Sequence, residues 1–264
     1  MSQDQRAAIR YVAIGDSFTE GVGDDLPGGG APGDRVRGWA DLVAQGLADA
    51  TGRPVQYANL AIRGRLLSPI IDQQLEPALA LEPTLVSFNG GGNDMLRPGT
   101  DIPSIVARTE AALRRILETD AEPLLLAGAN PTAGLPRGER VRAKGDALTA
   151  AATEMAARLG VRMCDNWSDP ILARREYWSP DRLHLAPVGH RRVAANVLRT
   201  LGHEPPADWV LDAAPAPKPG LREELAYTRE HVVPWVRRRL TGRSSGDGRT
   251  AKFAGWEWIE PRTR

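Results

Sequence analysis

Three short stretches hold the side chains best able to do chemistry. Gly15-Asp16-Ser17-Phe18-Thr19-Glu20-Gly21 presents a serine directly after an apolar run. A hydroxyl at the end of a strand is open to a substrate, and the N–H groups of the turn can face an anion. Ser179-Pro180-Asp181-Arg182-Leu183-His184 sets a carboxylate and an imidazole three residues apart on one predicted loop. Such a carboxylate can hold Nδ1–H and leave Nε2 free to take a serine proton. The serine needs that base, because its own pKa is far too high for attack at neutral pH. Gly90-Gly91-Gly92-Asn93-Asp94 offers close backbone approach and an amide donor for a developing oxyanion. Each stretch also reads as an ordinary turn or helix cap, since Gly, Asp, Ser and Asn are common there. Gly64 alone is a weak signal. His190 competes with His184 as base, but it falls inside a predicted helix and reads as structural.

The elements that must position these groups alternate regularly. Strand-length apolar runs occur at 11–14, 55–60, 85–88, 123–127 and 161–164. Helical spacing occurs over 39–50, 66–81, 102–117, 140–159 and 186–201, with Pro69 tolerated in the first turns of its helix. Five β-α units predict a parallel sheet with helices on both faces. Active sites in such sheets lie at the carboxyl ends of the strands. The serine, Gly64, the asparagine and the Asp-x-x-His stretch all fall at predicted strand ends, which favours a serine hydrolase over unrelated turns.

The chain has 264 residues, 42% hydrophobic and 25% charged, which suits a folded protein rather than a disordered one. With 34 Lys+Arg against 33 Asp+Glu, no charge excess points to nucleic acid. A single cysteine, Cys164, excludes a disulfide framework and a multi-cysteine zinc site, and reads as a buried small hydrophobe. No apolar run of about 18 residues predicts stable membrane insertion. The polar N-terminus does not read as a signal peptide, so a cytoplasmic protein is expected.

Taken together, the motifs resemble the blocks of the SGNH/GDSL hydrolase family. Gly15-Asp16-Ser17 resembles the first block and Gly64 matches the second-block glycine. Gly91-Gly92-Asn93-Asp94 fits the Gly-x-Asn-Asp block and Asp181-Arg182-Leu183-His184 the Asp-x-x-His block. The blocks occur in order over about residues 10–201. Phe18 stands where the namesake motif has leucine. The Gly-x-Ser-x-Gly elbow of α/β-hydrolases is absent around Ser17. The resemblance implies a three-layer α/β/α sandwich, flavodoxin-like, with a five-stranded parallel sheet. It implies a carboxylic ester hydrolase acting on acyl or acetyl esters. Ser17 would be the nucleophile, His184 the base, and Asp181 its partner. The Ser17 and Gly64 N–H groups and the Asn93 side chain would form the oxyanion hole, with no metal or cofactor. A thioesterase or acyltransferase using the same triad, and a non-catalytic flavodoxin-like scaffold, are the alternatives. The partner expected is a small-molecule ester.

Other segments carry less. The glycine-rich loop 21–38 reads as a surface loop or a wall beside Ser17, and lacks a phosphate-loop pattern. Trp167 and Trp178 flank the approach to Asp181 and read as core or rim packing. The composition changes after Leu201, dividing the chain into a domain over 1–203 and a proline-rich, basic extension over 204–264. Residues 218–264 hold 11 Lys+Arg against 6 Asp+Glu. Within the extension a helix is predicted over 221–240, with Arg237-Arg238-Arg239 at its solvated end. Trp256-Glu257-Trp258-Ile259 is expected to dock on its own domain or on a second subunit, the latter giving a homo-oligomer.

Overall fold

The computed structural model describes residues 9–28, 35–135, 138–217, 220, 222, 227, 229–230 and 244–262. Six strands form one sheet: β1 (Arg10–Ile14), β2 (Val55–Asn59), β3 (Leu85–Phe88), β4 (Glu122–Ala127), β5 (Arg162–Asp165) and β6 (Phe253–Ile259). Their order is β5-β4-β3-β1-β2-β6. The first five are parallel, in the flavodoxin-like arrangement. In that arrangement the crevice for ligands opens where the order reverses, between the ends of β1 and β3.

The strands are apolar because both faces are covered. Tyr11 and Ala13 of β1 and Leu124 and Leu126 of β4 enter one core, beneath α2 (Trp39–Thr51) and α7 (Pro187–Thr200). Val12, Ile14, Val86, Phe88 and Leu125 enter the other, beneath α3 (67–80), α5 (Ile102–Leu117) and α6 (Gly138–Leu159). Two short helices, α1 (Ser17–Glu20) and α4 (Gly92–Met95), follow β1 and β3. The result is the α/β/α sandwich the sequence predicts.

Two elements differ from expectation. The helix predicted over 66–81 is interrupted, with a π-turn over Ile71–Leu75 between α-helical segments. Pro77 explains this. It has no N–H to donate and its ring crowds the carbonyl four residues back, so the preceding turn widens. The second difference is the strand count, six rather than five. β6 comes from the extension and pairs antiparallel with β2, Val55 opposite Ile259 and Tyr57 opposite Glu257. It reaches the edge by a long return and not by a β-α unit, so no periodic pattern announces it. Phe253 meets the Tyr57 ring edge-on at 5.9 Å, while Trp258 stays 57% exposed. The segment Trp256-Glu257-Trp258-Ile259 thus docks on its own chain. Most of the helix expected over 221–240, and Arg237-Arg238-Arg239, lie outside the described residues, as does the middle of the loop 21–38. No helix among the described residues is long and apolar enough to cross a membrane.

Candidate active site

Ser17 opens α1 because Asp16 caps it. The Asp16 carboxylate accepts from the Phe18 N–H at 3.0 Å, satisfying one of the free donors at the helix start. Ser17 and His184 line one cavity, together with Asn93, Trp167 and Trp178. Asp181 stands behind His184, its Oδ2 2.6 Å from Nδ1 of the ring. Its other oxygen accepts from the Ser179 hydroxyl and from the N–H groups of Leu183 and His184. Burial would raise this carboxyl, but the hydrogen bonds to His184 and Ser179 outweigh it and hold Asp181 well below the usual carboxylate range. Asp181 is therefore a fixed negative charge at neutral pH, suited to orient an imidazole.

Asn93 ties the site together. Its Nδ2 donates to Asp16 Oδ2 at 3.0 Å and to the Arg65 carbonyl at 2.9 Å. Both amide protons are engaged in the resting site, so donation to an oxyanion requires one of these bonds to be shared or released. Asp94 accepts from the Leu67 N–H at the start of α3. Gly64 does not itself line the cavity; it sits one residue before the carbonyl that Asn93 holds, at φ +72°.

Several positioning groups carry no motif. Gln74, buried on the π-turn of α3, accepts from the Gly15 N–H at 2.8 Å and donates to the Gly15 carbonyl at 2.9 Å. Glu20, at the end of α1, accepts from the Arg63 N–H at 2.6 Å and from its guanidinium at 2.9 Å. Both side chains of that pair are about nine-tenths buried, and removing one partner of such a pair typically costs about 3–5 kcal/mol. Gly23, at φ +100°, lies where a Cβ would come within 2.1 Å of the Leu185 carbonyl. A glycine there lets the serine loop close against the histidine loop.

His190 lies off the cavity. Its Nδ1 accepts from the Trp39 N–H and its Nε2 donates to the Val22 carbonyl, each at 3.2 Å. Burial draws its pKa down from 6.5 to about 4, so it is a neutral staple. Cys164 is buried, and burial pushes its thiol up to about 11. Trp167 and Trp178 form part of the cavity wall, each indole N–H held at 2.7 Å by Asp146 Oδ1 and the Leu172 carbonyl respectively. Among the described residues no cluster of three His, Cys, Asp or Glu side chains could hold a metal.

Asp16 and His190 give acid stability opposing slopes. Burial raises the Asp16 carboxyl from 3.8 to about 6. The folded protein therefore takes up this proton before the unfolded chain does. That contribution favours the fold at low pH and is lost as pH rises through about 6. His190 behaves oppositely. The unfolded imidazole gains its proton near 6.5 and the folded one near 4, so stability falls as pH drops through that window. Asp16→Asn removes the first effect and leaves the second. The variant is expected to lose about 2 kcal/mol more than the wild type between pH 7 and about 4.5, read from urea midpoints. Equal losses would show that Asp16 does not shape the slope.

The sequence profile of the GDSL-like lipase/acylhydrolase family matches residues 13–192, well over half of the chain. The chain belongs to this family. The GDSL-like protein is accordingly a carboxylic ester hydrolase. No curated protein sequence matches it. Similar solved structures include TesA, at 24% identity and a TM-score of 0.58, over 73% of this chain and 97% of that one. Axe2, an acetylxylan esterase from Geobacillus stearothermophilus, is 20% identical with a TM-score of 0.61, over 78% and 97%. The psychrotrophic esterase EstA from Pseudoalteromonas sp. is 18% identical with a TM-score of 0.55, over 73% and 96%. These likenesses establish the SGNH hydrolase fold.

Proposed function

We propose that the GDSL-like protein is a serine ester hydrolase that works through an acyl-enzyme and accepts esters of apolar acyl chains of about six carbons. The observation that carries the triad is the Asp181–His184 pair, 2.6 Å apart, on the cavity that also holds Ser17. Ser17 Oγ attacks the ester carbonyl carbon as His184 Nε2 takes its proton. Asp181 keeps Nδ1–H fixed and stabilises the imidazolium. The carbonyl oxygen becomes an oxyanion stabilised by the Ser17 N–H and by the Asn93 amide once it releases Asp16 or the Arg65 carbonyl, with the Gly64 N–H, on the loop that Asn93 holds, as the third donor. Collapse breaks the carbon–oxygen bond to the alcohol, which leaves with the proton from His184. Water then attacks the acyl-enzyme, giving its proton to His184, and Ser17 departs with that proton.

The chain-length reading rests on the shape of the cavity. It runs from partly buried Ser17 and His184 to Leu125, Leu126 and fully buried Met155, between β4 and the helices α5 and α6. Its volume is about 140 Å³. An apolar cavity of about 150 Å³ holds a benzene-sized molecule, so roughly six carbons fit. EstA from Pseudoalteromonas sp. is inhibited by monoethylphosphonate. A fluorophosphonate should accordingly add once to the GDSL-like protein, at Ser17 by peptide mapping. The adduct should vanish in Ser17→Ala. A folded wild type that takes no label would remove the triad assignment.

A further inference from the structure

We infer that the C-terminal extension is a working part of the active site, with the turn at Ser244–Asp247 acting as a positioning clamp for the Gly64 N–H. This rests on the role of that N–H proposed above. Two contacts fall on the two peptide units that meet at Gly64. The Ser244 hydroxyl donates to the Gly64 carbonyl at 3.1 Å. The Gly246 backbone lies against the Arg63 carbonyl, so closely that a Cβ on Gly246 would come within 2.1 Å of that oxygen.

The second contact bears directly on chemistry. The Arg63 carbonyl and the Gly64 N–H belong to one planar peptide unit and point in opposite directions. Whatever fixes the carbonyl fixes the N–H. Gly64 sits at φ +72°, and a glycine crosses between backbone conformations with little steric penalty, so its flanking peptides are free to rotate unless held. On one side Glu20 holds the Arg63 N–H; on the other the turn covers the Arg63 and Gly64 carbonyls. Further along, the Lys252 ammonium donates to the Glu20 carbonyl, the last of α1, at 2.7 Å and pairs with Asp41 at 2.6 Å. A cation at a helix C-terminus is favourable. The extension therefore grips both the helix that carries Ser17 and the loop that carries Gly64, anchored by β6.

The relatives supply a reason to regard this clamp as particular to the present chain. The family match ends at residue 192. TesA, Axe2 and EstA are each aligned over at least 96% of their own length, yet over only 73–78% of this chain. The alignments thus leave about a quarter of this chain uncovered.

The test uses the full-length protein and p-nitrophenyl hexanoate. Ser244→Val and Ser244→Thr are nearly isosteric, but only threonine keeps the hydroxyl. Ser244→Val is expected to lower kcat about 10-fold with KM within 2-fold of wild type, and Ser244→Thr to restore most of the rate. Gly246→Ala, which must push the turn off Arg63, is expected to lower kcat at least 10-fold in protein whose circular dichroism is unchanged. Full kcat in both Ser244→Val and Gly246→Ala would overturn the clamp. So would equal losses in the valine and threonine variants, since those would report packing alone. Failure of the serine mechanism is separately visible, as a wild type whose turnover does not depend on Ser17.

Discussion

Ser17→Ala is expected to lower kcat on p-nitrophenyl hexanoate by roughly 10⁵- to 10⁶-fold, and His184→Ala by a similar factor. The reason is that the proposed mechanism has the two side chains act in one step. Without the hydroxyl no acyl-enzyme forms; without the imidazole the hydroxyl keeps its proton. The double variant should therefore be no slower than either single one, because a unit already broken cannot be broken again. Asp181→Asn should fall by about 10⁴-fold, through loss of the acceptor that fixes the ring tautomer. A residual rate above the uncatalysed one is expected in every variant, supplied by binding and the oxyanion donors. Additive losses in the double variant, or His184→Ala at full rate, would show that Ser17 and His184 do not work together. Steady-state rates and active-site titration suffice to decide.

The site divides into a part that the sequence shows and a part that it hides. Leu124-Leu125-Leu126 is legible as a strand because a parallel strand covered on both faces must be apolar at every position. Ser17, Asn93 and His184 are legible because reactive side chains at strand ends have few competing explanations once the sheet is inferred. Gln74 is not. It is one polar residue in an amphipathic segment, and its value comes from a widened turn set by Pro77 and from Gly15, 59 residues away. Glu20 and Arg63 read separately as surface charges, and only the folded chain buries them against each other. Gly23 reads as a loop glycine until the Leu185 carbonyl appears beside it. Such pairings join unlike residues at irregular separations, so they leave no period to detect. β6 is hidden for the same reason.

These hidden groups share one physical task. The groups proposed to react come from loops that follow four different strands, so their mutual placement depends on ties between those loops and their neighbours. Gln74 pins the turn after β1, Asp94 links the turn after β3 to α3, and Glu20 pins the loop after β2. His190 joins α7 to the serine loop through the Val22 carbonyl. Each tie crosses between elements rather than running along one, so the site is held at fixed separations without any long rigid segment. That kind of support keeps catalytic groups within the few tenths of an ångström that orientation requires.

Wild-type kcat/KM should climb from acetate to hexanoate esters and then level off or fall. Each methylene removed from water into the apolar cavity contributes about 0.8 kcal/mol, or roughly a 4-fold gain. Four methylenes separate the two acyl groups, so the upper bound on the preference is about 200-fold. Leu148 and Ala152 project from α6 into the cavity wall beside Met155. Ala152→Phe fills much of the space that a chain of about six carbons needs while leaving the mouth at Ser17 untouched. The variant should lose most of the hexanoate preference, a fall of about 10- to 100-fold in kcat/KM, and keep acetate turnover within about 3-fold. The asymmetry matters, because general damage to the protein would lower both substrates together. A flat wild-type profile from two to eight carbons would mean that the cavity does not receive the acyl chain. A variant that loses acetate and hexanoate activity equally would place the effect of Ala152 on the triad instead.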